Sequence, residues 1–142
     1  MPSNKDINEV LQFLLLEVTK QLEDALLVLE KPNQKLIDKI ITRDDYIDNL
    51  KSSIENKCFT LLTKSNETEK STLDFIRASN IISINLEKIG DYACSIAKQT
   101  SYLANSDFIK QYDYHSFFKE AFDALDNIEA GLFKRDISIG LK

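Results

Sequence analysis

Apolar residues recur along this chain at steps of three and four, the period of a helix with one buried face. Ile7, Leu11, Leu14, Val18, Leu22, Ala25 and Leu29 mark the first such face. Ser3 with Asp6 forms an S-x-x-D start signal. Pro32 ends the segment, because proline cannot continue a helical hydrogen-bond ladder. The spacing predicts a helix over about 6–30. In the next segment, about 33–64, Ile40, Ile47, Ile54 and Leu61 repeat every seven residues, as in a seam between packed, slightly supercoiled helices. The polar run Ser65–Lys70 reads as a turn. Ile82, Leu86, Ile89, Ala93 and Ile96 mark a third helix over about 68–102, which Ala104-Asn105-Ser106 would break. A fourth, about 115–134, carries Phe118, Ala121, Leu125, Ile128 and Leu132. The expected fold is all-α, an antiparallel bundle of three to four long helices. Ile40, Ile47, Ile54, Leu86, Ile89 and Ile96 should be buried in it.

Composition narrows the class. The chain has 142 residues, one domain's worth, and its 3 glycines and 2 prolines are too few for the turns of an all-β protein. A formal net charge of -5 argues against a general nucleic-acid binder, which needs a basic face. The longest apolar runs, Phe13–Leu16 and Ala25–Leu29, fall far short of the ~20 residues of a membrane span. The start, MPSNKDINEV, lacks a basic region followed by an apolar stretch. Cys58 and Cys94 fit no zinc or redox spacing. A cytoplasmic protein with reduced thiols is expected. One internal echo stands out: Asp24-Ala25-Leu26 with Glu30 recurs as Asp123-Ala124-Leu125 with Glu129, which reads either as a repeated helical unit or as chance, since such short echoes are cheap in helical sequences.

Little here suggests catalysis. The lone His115 lies in an aromatic patch with Tyr112, Tyr114, Phe117 and Phe118, which favours a structural role. No phosphate loop, dinucleotide turn or nucleophile elbow occurs. The carboxylates are more informative. Acid pairs four residues apart on a helix repel by about 0.2–0.5 kcal/mol. Two are nonetheless present, Asp44 with Asp48 and Glu87 with Asp91. Asp44 lies on the stripe of Ile40 and Ile47, and Gly90 separates the pair on helix three. A mid-helix glycine costs about 1 kcal/mol relative to alanine, which a close backbone approach can justify. The expected turn centre, near residue 66, lies 22 residues after Asp44 and 21 before Glu87. An antiparallel hairpin therefore sets the two pairs at one height. Four carboxylates there would suit a cation held by oxygens, such as Mg, Mn, Ca or Fe. Zinc held by nitrogen or sulfur is disfavoured for want of histidines. The bland alternative is a solvated acidic face. Arg77 falls on the stripe of Glu87 and Asp91 and is placed to pair with a carboxylate of helix two, or to serve as a surface cation.

The segment Leu86-Glu87-Lys88-Ile89-Gly90-Asp91-Tyr92-Ala93, completed by Ile96-Ala97 and preceded by Arg77, resembles the signature helix of PhoU-domain proteins. Asp44-Asp45-Tyr46-Ile47-Asp48-Asn49-Leu50 is similar to the partner motif of that family. The resemblance covers residues 7–103 well. It implies that Asp44, Asp48, Glu87 and Asp91 are metal ligands of E(D)-x-x-x-D motifs, supported by Arg77 and Gly90. The ions would be divalent or multinuclear, of the iron, manganese, magnesium or zinc type. It further implies a non-enzymatic, cytoplasmic regulator of phosphate uptake and signalling. Such a regulator works by contacts with a phosphate ABC transporter, a membrane sensor kinase or both, and touches the membrane only through them. The alternative is the cytosolic regulatory domain of a sodium/phosphate cotransporter. A metal-dependent phosphohydrolase would also need a residue to position its nucleophile, and none is evident.

Family members usually carry two three-helix repeats. Here the reading is a single domain over 1–142, with a core repeat at 7–103. A fourth helix within 115–142 would open a second repeat, whose acidic motif would begin just past Lys142. Lys51 stands where some relatives have another acid, which would lower the site's charge and metal count. The aromatics Tyr112, Tyr114, Phe117, Phe118 and Phe122 exceed what one inward face needs, and the surplus would serve self-association or a partner, or else anchor the core and the loop before the helix.

Overall fold

The computed structural model describes residues 3–64, 70–102 and 113–133. They form four helices: α1 (Asn4–Glu30), α2 (Gln34–Lys64), α3 (Lys70–Thr100) and α4 (Tyr114–Phe133). The described residues contain no strand. The two turns expected at Ser65–Lys70 and Ala104–Ser106 lie outside the described residues apart from Lys70, as do Tyr112 and Lys134.

Local chemistry sets the helix ends. The Ser3 hydroxyl accepts the Asp6 N–H at 3.3 Å, and the Asp6 carboxylate accepts the Ser3 N–H at 2.9 Å. These two bonds satisfy donors that a helix start leaves free, and the Asp6 carboxyl, accepting from both the N–H and the hydroxyl of Ser3, is held below its ordinary range. α1 stops at Lys31, whose extended backbone is what the residue before Pro32 prefers. Asn33 then accepts the Leu36 N–H at 3.3 Å at the head of α2. Asp113 does the same for α4, accepting the Ser116 hydroxyl at 2.6 Å and its N–H at 3.4 Å.

Each of the first three helices carries an inward heptad stripe, and the three stripes face one another. On α1 it runs Ile7, Leu11, Leu14, Val18, Gln21, Ala25, Val28, all buried. On α2 the buried positions are Ile37, Ile40, Ile47, Ile54 and Cys58; Asp44 and Lys51 occupy the remaining two slots and are partly buried. The α3 stripe is made of small residues: Ser79, Ser83, Gly90, Ala93 and Ala97 are buried with Leu86. Small residues let the α3 backbone come close to its neighbours. A Cβ on Gly90 would lie 3.3 Å from Ile47 Cδ1 and 3.7 Å from Val18 Cγ2. The glycine thus marks a close approach of α3 to α2 and α1, as its mid-helix position suggested.

Of the six residues expected in the core, Ile40, Ile47, Ile54 and Leu86 are buried. Ile89 and Ile96 are only half-buried, because they sit on the α3 flank where α4 gives partial cover. α4 packs mainly on α1, running antiparallel to it, with Phe118 and Leu125 as its buried contacts. His115, at its start, lies 3.7 Å from Glu30 at the end of α1 and against the Tyr114 ring. Among the described residues the aromatics serve mainly the core: Phe118 is buried, Tyr114 and Phe122 pack against it, and Phe117 is 75% exposed. The echo between α1 and α4 falls on different faces. Ala25 is buried where Ala124 is exposed, and Leu125 is buried where Leu26 is half-covered.

Candidate metal centre

Because α2 and α3 are antiparallel and pinned at Ile47 and Gly90, the two acid pairs meet across the seam. Asp48, Glu87 and Asp91 each offer a carboxylate oxygen, and these oxygens lie within 4.8 Å of one another. Asp48 is exposed while Glu87 and Asp91 are half-buried, so the group is open to solvent on one edge. Asp44 adjoins Asp91 from its core heptad slot, and its Oδ1 is buried with no hydrogen-bond partner. A carboxylate oxygen in that condition is costly unless something neutralises it.

The crowding raises proton affinity. Glu87 is pushed up to about 7, first by burial, then by hydrogen bonding with Asp91 and its charge, and by hydrogen bonding with Asp48. Asp44 is pushed up to about 6, again by burial first, then by the charge of Asp91, hydrogen bonding with it, and the charge of Asp48. Lys51 eases the strain on Glu87, and Lys98 eases it on Asp44. The acids thus form a ladder with one lysine toward each end. Arg77 is not among these cations: it is exposed and makes no ion pair with an α2 carboxylate among the described residues. It lies ten residues before Glu87, about 15 Å of helix rise. Gly90, by contrast, sits within the seam, where its missing side chain leaves room for Ile47.

An arginine that the acid-pair spacing did not single out lies beside the ladder. Arg43 is 10% exposed and donates to Asp24 Oδ2 at 2.7 Å and to Gln21 Oε1 at 3.1 Å, with Glu17 Oε2 3.5 Å away. The Gln21 amide in turn donates to the Ile40 carbonyl at 2.9 Å. This network locks α2 to α1 one residue before Asp44. Its trace in the sequence is Gln21 inside an apolar stripe, with Glu17 and Asp24 one turn to either side.

The donor set is all oxygen. His115 lies at the far start of α4, and Cys94, although near enough to Asp44 for its thiol to be pushed up by burial and by that charge, is buried in the core. Three converging carboxylates and an orphaned fourth oxygen fit a hard or borderline cation with oxygen ligands.

The upward shifts predict a pH effect in the metal-free protein. The folded chain holds protons on Asp44 and Glu87 that the unfolded chain, with ordinary values of 3.8 and 4.5, has already released. Their contribution to stability is therefore full below those values and is lost as pH rises through about 6 and 7. Melting of chelator-treated protein should occur at lower temperature at pH 8 than at pH 5, and Glu87→Gln should flatten the trend. A melting temperature that climbs over this interval in both proteins would contradict it.

No helix among the described residues is long and apolar enough to cross a membrane. A family profile for the PhoU domain matches residues 11–100, which contain both acid pairs. The chain is 35% identical over 91 residues to the phosphate-specific transport system accessory protein PhoU homolog 1 of Thermotoga maritima, covering 64% of this chain and 39% of that protein. It is 35% identical over 79 residues to the PhoU homolog of Clostridium acetobutylicum, covering 56% and 36%. With the Aquifex aeolicus PhoU homolog it shares 31% over 103 residues, covering 72% and 46%. The chain thus spans about two fifths of the length of the curated relatives it matches. No solved structure matches. With the domain match covering most of its length and the signature acids meeting across the α2–α3 seam, this chain belongs to the PhoU-domain family.

Proposed function

We propose that this protein is a non-enzymatic, cytoplasmic regulator of phosphate uptake that holds a divalent cation on the α2–α3 carboxylate ladder and acts by contact with other proteins. The observation that carries this reading is the convergence of Asp48, Glu87 and Asp91 within 4.8 Å, beside the orphaned Oδ1 of Asp44. Those four residues would hold the ion, which supplies positive charge where acids from two helices otherwise repel. Asp48 reaches from the exposed edge and Asp44 from the buried one, while Arg43 and Gly90 fix the helices that carry them. The relatives are named as accessory proteins of phosphate-specific transport. That name supports a component of a phosphate-specific transport system as the partner here; an ABC transporter or a membrane sensor kinase as that partner is what the family resemblance implies. The exposed rings of Tyr92 and Phe117, beside an apolar hollow floored by Phe118, offer a surface for such contacts or for self-association.

Metal content tests the reading. Protein dialysed against Mn²⁺ or Fe²⁺ at pH 7.5 and then against metal-free buffer should retain about one ion per chain or more. It should lose that ion at pH 5, where protons compete for Asp44 and Glu87. Saturation at about 100 times Kd should add about 2.7 kcal/mol of stability. Absence of retained metal and of any thermal shift would defeat the metal part of the proposal.

A further inference from the structure

The groove between α1 and α4 has a character of its own. It encloses about 490 Å³ and is lined by Phe13, Leu15, Leu16 and Leu125, with Glu9, Asp126 and Glu129 among its walls. Phe13 and Leu16 are 56% and 51% exposed although they belong to the helix that packs against all three others. On α1 the groove runs from Glu9 to Thr19, about 15 Å, which is close to three helical turns. None of the described residues lining it is Lys or Arg. Lys20, one residue past its end, is paired with Glu17 at 3.3 Å.

We propose that this groove docks an amphipathic helix of a partner protein, one with an apolar stripe flanked by lysines or arginines. The length and apolar floor fit the helix-in-groove mode, in which anchors spaced three, four and seven residues apart enter a trough. Charge selects the occupant. A second copy of the chain offering the same groove would set Glu9, Asp126 and Glu129 against their own counterparts. An anionic lipid surface meets the same repulsion. A basic-flanked helix covers Phe13 and Leu16 and neutralises the three acids together. The groove shares no residue with the carboxylate ladder, so this inference stands or falls apart from the metal reading.

The test uses the full chain and a fluorescein-labelled peptide of about 18 residues, five helical turns, with leucines at i, i+3, i+4 and i+7 and lysines on the flanks. Fluorescence anisotropy should give saturable binding that weakens with salt. Leu16→Lys, an exposed change that leaves the helical circular dichroism intact, should weaken it at least ~10-fold by placing a cation in the trough. The triple change Glu9→Gln, Asp126→Asn, Glu129→Gln should weaken it by about the same factor and flatten the salt dependence. A peptide with glutamates in place of the flanking lysines should not bind. The proposal is overturned if the parent chain shows no saturable binding or if Leu16→Lys binds as tightly as the parent. It is equally overturned if sedimentation reveals a dimer that Leu16→Lys dissociates, which would give the groove to a second copy.

Discussion

The double substitution Glu87→Gln with Asp91→Asn should lower divalent-cation affinity by more than ~100-fold while leaving the helix content unchanged. These two residues supply two of the three converging oxygens, and both stand on α3. Changes to groups that merely orient metal ligands cost about 10–100-fold, so losing two anionic ligands should cost more. Asp48 and Asp44 remain on α2, but they cannot bridge the seam without a partner across it. The metal-free variant should melt at or above the temperature of the metal-free parent, because the change removes like charges whose crowding raises Glu87 and Asp44. Metal titration by calorimetry and thermal melts with and without chelator read both quantities. Unchanged metal binding in a folded double variant would place the ion elsewhere.

Ile47→Ala should destabilise the protein by about 2–5 kcal/mol, the range for large-to-small changes at fully buried sites. Ile47 is completely buried, and its Cδ1 and Cγ2 lie 3.3 Å and 3.5 Å from where a Gly90 Cβ would be. Truncation therefore opens a cavity where α2 and α3 approach closely. Filling it would require the helices to move together, and the flanking Gln21–Arg43 network resists such a shift. For a domain of this size, a loss of 3 kcal/mol lowers the melting temperature by about 10 °C. Ile47 also lies between Asp44 and Asp48, so metal affinity should fall with it even at temperatures where the variant is folded. A loss under about 1 kcal/mol by thermal or urea unfolding would mean that the seam is not packed around this residue.

How much of this was legible beforehand can be traced residue by residue. The helices were written in the chain: a three-and-four apolar period, Ser3 and Asp6 at one end of α1 and Pro32 just past the other. These are local signals, and local chemistry decides them. The height of the two acid pairs was legible too, because an antiparallel hairpin makes it a matter of counting residues from the turn. Gly90 was suspect for a reason visible in one dimension, as a helix breaker retained in mid-helix. Other features depended on helix rotation and on the neighbours brought by the fold. Ile89 and Ile96 share the period of Leu86 but lie on its flank, where α4 covers them only in part. Arg77 shares a stripe with Glu87, yet distance along α3 and a solvent-facing position keep it from the α2 acids. In the sequence Arg43 is one cation among many; α1 gives it its role by bringing Glu17, Gln21 and Asp24 around it. By itself the sequence determined four helices, the inward stripes of α1 and α2, and the identity and height of the acids, while the inward stripe of α3 is rotated from the expected isoleucines onto Ser79, Ser83, Gly90 and Ala97. The tertiary structure alone decided which acids share space and which cations face them, because charge interactions follow distance through space, and distance between helices is set by packing.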